Sequence, residues 1–206
     1  MSNIKLDRFY ISNDPYDLVT KISRTIHNLI VEGKQPNQEI IFLMIGTPKI
    51  YWDSLGPLTG SLLEESNHFK KEYFIDGITN FSVYGTIQRP VHAQNLYSTV
   101  SRIYEIHKNP FIIAVDASFS YFYTKNNILI SNEPIKPGLG VGKDLLSVGD
   151  ISIRGIVGSD EVDAYNLSYS ELKTMALLIS TAINCVLSIK QVQPYCLLHQ
   201  CETTAV

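Results

Sequence analysis

The chain has 206 residues, of which 45% are apolar and 18% are charged, a balance that suits one sizeable hydrophobic core and excludes a disordered or fibrous protein. Its formal net charge is -3, and the lysines and arginines are scattered along the chain. It therefore has no basic field for nucleic acid or for an anionic membrane.

The cellular location is predicted from segments that the sequence is expected to lack. No stretch is expected to reach the roughly 20 apolar residues of a membrane helix, and the first residues have no apolar segment typical of a signal peptide. The cysteines, Cys185, Cys196 and Cys201, form neither a disulfide framework nor a four-ligand zinc pattern. We expect a cytoplasmic protein with no nucleic-acid or membrane partner.

The first half of the chain alternates between helical and strand patterns. Asp14 and Pro15 begin an amphipathic helix that Gly33 ends. Residues 40–45 form an apolar run of strand length, and a loop then leads to a short helix that begins at Gly56 and Pro57. Residues 1–12 are polar enough to be either a removable arm or a frayed terminus.

The second half continues the alternation. We predict strands at 81–84, 111–115, 128–131 and 151–157, and helices at 91–107 and 170–189. This order predicts an α/β fold with three layers, α/β/α, and a mostly parallel sheet. One domain is expected over residues 1–190, with a tail or short terminal strand over 191–206.

Two aspartates follow apolar strands. Asp53 lies beyond the 40–45 strand, and Asp116 comes directly after the 111–115 strand. Because parallel strands end at the same edge of a sheet, the two carboxyl groups can meet in one crevice. A close pair of carboxyl groups holds one shared proton and can activate water. The alternative is that each aspartate caps the following loop or helix.

A glycine-rich run over residues 136–144 contains Gly138, Gly140 and Gly142, followed by Lys143. It matches neither a Walker phosphate loop nor the dinucleotide fingerprint. It is either a loop whose backbone approaches a ligand beside the carboxylates, with Lys143 as a nearby cation, or a plain structural turn.

Other chemistry-bearing residues give weaker patterns. His92 and His107 belong to no metal-binding pair, and packing or surface roles are favoured for both. Ser54 and Ser118 lie beside the two aspartates but in no nucleophile elbow. The aromatic run Phe119, Tyr121, Phe122 and Tyr123 is more typical of a core or dimer surface than of a substrate platform.

Four ordered blocks together carry a family resemblance that covers residues 40–190. They are Ile-Gly-Thr followed by Asp53-Ser-Leu-Gly-Pro, then Val83-Tyr-Gly-Thr-Ile, then Ile-Ile-Ala-Val-Asp116-Ala, then Lys136-Pro-Gly-Leu-Gly-Val-Gly-Lys-Asp. The chain resembles the YyaC-like sporulation proteins, which are relatives of the spore germination protease and share a phosphorylase/hydrolase-like fold with the hydrogenase-maturation endopeptidases.

This resemblance implies that Asp53 and Asp116 match the catalytic pair of an atypical aspartic endopeptidase, which acts on small acid-soluble spore proteins. It implies no cofactor and no metal. The expected partner is a protein or peptide substrate, and a homo-oligomer is an additional expectation. Thr47, Ser54, Ser118, Gly138, Gly140, Gly142 and Lys143 are expected to bind substrate or to support the pair.

Two alternatives to this endopeptidase stay open. One is a non-catalytic protein that uses the same crevice to hold a peptide or partner during sporulation. The other is a metal-dependent maturation-type endopeptidase. Its family takes a third ligand from a downstream histidine, which the loop at 138–150 lacks.

Overall fold

The structure, a computed structural model, describes residues 4–11, 14–72, 81–137 and 147–188. Its core is a mixed sheet of six strands in the order β1-β5-β6-β4-β2-β3. The strands are β1 (Leu6–Tyr10), β2 (Ile40–Met44), β3 (Phe81–Tyr84), β4 (Phe111–Phe119), β5 (Asn127–Ser131) and β6 (Ile151–Gly158). Strands β3, β2, β4 and β6 run parallel, and β5 is antiparallel to both β1 and β6.

Five α-helices and one 3-10 helix complete the described part of the chain. They are α1 (Pro15–Gly33), the 3-10 helix Tyr51–Ser54, α2 (Leu55–Glu72), α3 (Leu96–Ile106), α4 (Glu161–Ala164) and α5 (Tyr169–Ser188). The predicted α/β class is confirmed, and the sheet is mixed because β5 runs opposite to the other five strands.

Alternating side chains of the strands pack into two different apolar clusters. Ile40, Phe42 and Met44 of β2 join a cluster that includes buried residues of α1 and α5. Ile41 and Leu43 join a second cluster that includes α3. Burial on both faces explains why β2 and β4 read as continuous apolar runs.

The predicted first helix is confirmed, and local contacts explain where it begins. The Asp14 side chain accepts a hydrogen bond from the Asp17 amide, and Pro15 occupies the first turn, where its missing N–H costs nothing. The carboxylate thus satisfies one of the free amides at the start of α1.

Three predicted elements have bounds that differ from the structure by more than one residue. The helix predicted to begin at Gly56 begins at Leu55 and continues to Glu72. The helix predicted over 91–107 is α3, which starts only at Leu96, because the Asn95 side chain accepts from the His92 amide and donates to the Pro90 carbonyl, holding a turn there. Strand β4 runs to Phe119 rather than ending at Val115, so Asp116 lies within the strand.

Residues predicted to be an arm or frayed terminus include an edge strand instead. Leu6–Tyr10 pairs antiparallel with β5, from Leu6 opposite Ser131 to Tyr10 opposite Asn127. The polar residues of β1 hid this strand, since an edge strand needs few apolar side chains.

Helix α5 corrects the expectation that no segment approaches a membrane span. By length and composition α5 is the one helix in the described ranges that could cross a membrane. Its apolar content has another explanation, because 56% of that window is buried within the protein. Residues 191–206, predicted as a tail, lie outside the described residues.

Candidate active site

A crevice of about 770 Å³ opens where β2 and β4 end. Its wall is formed by the segments that follow β2, β3 and β5, by the end of β4 and by Arg154 of β6. The residues that line the crevice include Thr47, Lys49, Trp52, Asp53, His92, Asp116, Ser118, Phe119, Glu133, Lys136, Pro137 and Arg154. Both predicted aspartates are therefore in one cavity.

Asp53 is held by the loop that precedes it. The Thr47 amide donates both to the Asp53 carboxylate Oδ2, at 2.9 Å, and to the Asp53 carbonyl oxygen, at 3.1 Å. The Asp53 amide in turn donates to the Ile50 carbonyl at 3.0 Å. This closed loop fixes the carboxylate at the crevice wall.

Two glycines let the backbone close around Asp53. Gly46 has φ +136°, and a Cβ on it would lie 2.0 Å from the Asp53 carbonyl oxygen. A Cβ on Gly56 would lie 2.1 Å from the Ile45 carbonyl oxygen. Only glycine permits contacts of this closeness, which explains the Ile-Gly-Thr and Leu-Gly-Pro blocks.

Asp116 is positioned by the sheet itself. It lies in β4, two residues beyond Ala114, which packs in the second apolar cluster, so its side chain projects from that same face. Its residue is 8% exposed. In the neighbouring strand β6 the residue in register with it is Arg154.

The pKa values of both carboxyl groups are raised. Burial raises the pKa of Asp53 to about 6, against the opposing effect of the Thr47 amide. Burial and, second, the charge of Asp53 raise the pKa of Asp116 well above its usual value, while the Ala117 amide acts in the opposite direction. Because the charge of Asp53 disfavours ionisation of Asp116, the two carboxyl groups titrate as a coupled pair.

The other predicted site residues fall into three groups. Thr47 and Ser118 line the crevice. Ser54 is buried, and its hydroxyl donates to the Tyr51 carbonyl at 2.5 Å rather than lining the crevice. Gly138, Gly140, Gly142 and Lys143 lie outside the described residues, although Lys136 and Pro137, which precede them, line the crevice.

The two histidines that the sequence singled out have different environments. His92 lines the crevice, and its Nδ1 accepts from the Gln94 amide at 3.3 Å. His107 is buried outside the crevice, with Nδ1 2.6 Å from Glu39 Oε2 and Nε2 2.8 Å from the Tyr84 hydroxyl. Within the described ranges no group of three or more His, Cys, Asp or Glu side chains could hold a metal ion.

Sequence reasoning missed the charged residues around the pair. Lys49, Glu133 and Arg154 line the crevice with the two aspartates. Arg154 could have been singled out from the sequence, because it is a charged residue within an otherwise apolar strand pattern, Ile-Ser-Ile-Arg-Gly-Ile-Val. Lys49 and Glu133 lie in loops, where charged residues are common and predict nothing specific.

The fold and the site define an α/β protein with two carboxyl groups, one buried and one half-buried, in a crevice where its parallel strands end. The chain belongs to the family described as protein of unknown function DUF1256, which matches residues 10–191. It is also 42% identical, over 124 residues, to the protein of Bacillus subtilis (strain 168) called "Uncharacterized protein YyaC". That similarity covers 60% of this chain and 56% of the relative.

Proposed function

We propose that this protein is an endopeptidase of the aspartic type that acts in the cytoplasm of a sporulating cell or developing spore. The observation that carries the proposal is the placement of Asp53 and Asp116 in one crevice, with the pKa of each raised. A three-layer fold like that of the germination protease and the hydrogenase-maturation endopeptidases is part of the same proposal.

The pair has the two functions that peptide hydrolysis needs. Asp53 acts as the base, because its carboxylate accepts the Thr47 amide and its pKa of about 6 leaves it ionised at neutral pH. Asp116 acts as the acid, because deeper burial keeps its proton in place. Asp53 thus takes a proton from water while Asp116 gives one to the peptide carbonyl oxygen.

The step balances within the pair. Water oxygen bonds to the carbonyl carbon, and the tetrahedral intermediate then breaks its carbon–nitrogen bond. The leaving nitrogen takes the proton that Asp53 received from water. Asp116 recovers its proton when the intermediate's hydroxyl becomes the new carboxyl group, so the pair again holds one proton.

The crevice has room for a peptide. Ligand pockets typically have volumes of roughly 300–1,000 Å³, and the 770 Å³ here lies within that range. Small acid-soluble spore proteins are the substrates that we propose, on the basis of the family resemblance.

The test is an intact-mass time course with small acid-soluble spore proteins between pH 4 and pH 8. It compares the wild type with Asp53→Asn, Asp116→Asn and, as a matched control, Asp17→Asn, which alters an exposed aspartate of α1 paired with Lys21. Circular dichroism confirms that each variant is folded. We expect cleavage by the wild type and the control, and a loss of at least ~100-fold in both site variants.

Absence of cleavage by the wild type over this whole range would contradict the proposal. It would favour the non-catalytic alternative, in which the crevice binds a peptide or partner. Added zinc or nickel that raises the melting temperature of the wild type, but not of the site variants, would instead favour a metal-dependent hydrolase.

A further inference from the structure

Arg154 is a cation on the strand next to the acid of the proposed pair. It is the residue of β6 in register with Asp116 of β4 and with Leu129 of β5. Aligned residues of neighbouring strands project from the same face of a sheet, so Arg154 and Asp116 share a face. Both line the crevice.

Among the described residues, the Arg154 side chain has no partner of the kind that holds a structural arginine in place. Its Nε atom is buried, with no hydrogen-bond acceptor in the part of the chain that the structure describes. No ion pair of Arg154 occurs in those ranges either, whereas Arg89 pairs with Glu64 at 2.6 Å. Since a buried donor without an acceptor is destabilising, such a group calls for an explanation other than stability.

A second donor at the crevice is also unpaired. Trp52 is 5% exposed and lines the crevice, and its Nε1 has no acceptor among the described residues. Its ring packs against that of Phe119, with the centroids 5.1 Å apart. The crevice thus combines carboxyl groups with N–H donors that no acceptor of the described residues satisfies.

We propose that Arg154 binds a negatively charged oxygen of the ligand in this crevice. In the proposed reaction that atom is the peptide carbonyl oxygen, which gains negative charge as water attacks the carbon. Arginine stays protonated in proteins and presents a planar fork of donors. Its charge therefore stabilises the negative charge that develops on this oxygen, and Arg154 gives up no proton in doing so. Asp116 is the group that gives the oxygen its proton. The reaction role depends on the proposed function, but the oxyanion site does not.

The first test measures oxyanion binding without catalysis. Inorganic phosphate is titrated into the protein at constant ionic strength, and the melting temperature is followed for the wild type, Arg154→Gln and Arg24→Gln. Arg24 is an exposed arginine of α1 and is the matched control. We expect a saturable rise in the wild type and the control and its loss in Arg154→Gln. A rise that persists in Arg154→Gln, or no rise in the wild type, would overturn the inference.

The second test separates a functional arginine from a structural one. Arg154→Met removes a buried donor that has no acceptor in the described ranges, so the phosphate-free melting temperature should stay the same or rise by ~2–4 °C. A fall of several degrees would mean that Arg154 supports the fold and would overturn the inference.

The third test uses cleavage, and its failure is distinguishable from that of the proposed function. If the wild type cleaves, Arg154→Gln should lower kcat/KM by ~10²–10³-fold, and an unchanged rate overturns the inference while the peptidase stands. If the wild type does not cleave, but phosphate binding depends on Arg154, the peptidase proposal fails and the oxyanion site stands.

Discussion

At the scale of single residues, the two carboxyl groups are held where ionisation is unfavourable. Asp116 is almost fully buried, and Asp53 is half-buried with one amide donor from Thr47. In the unfolded chain both would ionise near their ordinary pKa of 3.8. The folded protein therefore keeps these protons at pH values where the unfolded chain has lost them. As a result, the free energy of unfolding falls as pH rises.

The first prediction concerns this stability. Between pH 3.8 and about 6 the unfolded chain ionises Asp53 before the folded protein does, so the free energy of unfolding falls across that range. Asp53→Asn removes this loss and should stabilise the protein by about 3 kcal/mol at pH 7. Urea unfolding at pH 3.5 and pH 7 measures it. A gain that is equal at both pH values would contradict the account.

The second prediction concerns the pH dependence of cleavage. The active pair needs one proton, and Asp53 loses its proton at a pKa of about 6. The value of kcat/KM should therefore rise as pH increases through about 6 and should stay high at neutral pH. A profile measured between pH 4 and pH 8 tests this. Maximal activity near pH 4 would mean that Asp53 ionises at its ordinary pKa.

At the scale of elements, the connection from β2 to α2 places Asp53 at the crevice beside the end of an apolar strand. Its main contacts are backbone hydrogen bonds and close backbone packing. The Ile45 amide donates to Val115 of β4 at 2.7 Å, and the Gly46 amide donates to Val91 at 2.8 Å. The loop therefore depends on Val115 of β4 and on Val91, which lies between β3 and α3, and small changes in the loop should move Asp53.

The third prediction tests Gly46. Gly46→Ala adds a Cβ at φ +136° and within 2.0 Å of the Asp53 carbonyl oxygen, so the loop must shift. We expect a loss of stability of ~1–3 kcal/mol and a large loss of cleavage. Gly33→Ala is the matched control, because its Cβ would meet only the Phe111 ring at 3.2 Å. Equal effects of the two substitutions in unfolding and cleavage assays would contradict the role of Gly46.

The fourth prediction tests what holds the 3-10 helix against α4. The Tyr51 hydroxyl lies 2.9, 2.8 and 2.7 Å from the carbonyl oxygens of Ala164, Tyr165 and Leu167. One hydroxyl proton serves three acceptors, and Tyr51→Phe leaves all three without it. We expect a loss of ~1–2 kcal/mol in the free energy of unfolding. Tyr97→Phe, on an exposed tyrosine of α3, should change it by less than ~0.5 kcal/mol.

At the scale of the whole molecule, the sequence predicted best the elements with strong periodicity. The apolar runs of β2 and β4 and the capped start of α1 are confirmed, because burial on both sheet faces and an N-cap both leave clear patterns. The edge strand β1 was missed, since pairing along one edge is made by backbone atoms and leaves little trace in side chains.

The candidate site could be predicted in part for the same reason. That Asp53 and Asp116 line one crevice was expected because parallel strands end at one edge of the sheet, although Asp116 lies inside β4 rather than after it. The closure of the Asp53 loop, and an Arg154 Nε without an acceptor among the residues described, depend on three-dimensional contacts that no spacing encodes. The expected homo-oligomer and the expected peptide partner stay predictions.

The most direct test of the central claim is a carbon-13 NMR titration of the Asp53 and Asp116 carboxyl groups, in the wild type and in Asp53→Asn. We expect Asp53 to titrate at about 6 and Asp116 well above its ordinary pKa of 3.8. We also expect Asp53→Asn to lower the pKa of Asp116, because a repelling charge is removed. Two independent transitions near 3.8, with Asp116 unaffected by Asp53→Asn, would contradict the shared proton and, with it, the proposed mechanism.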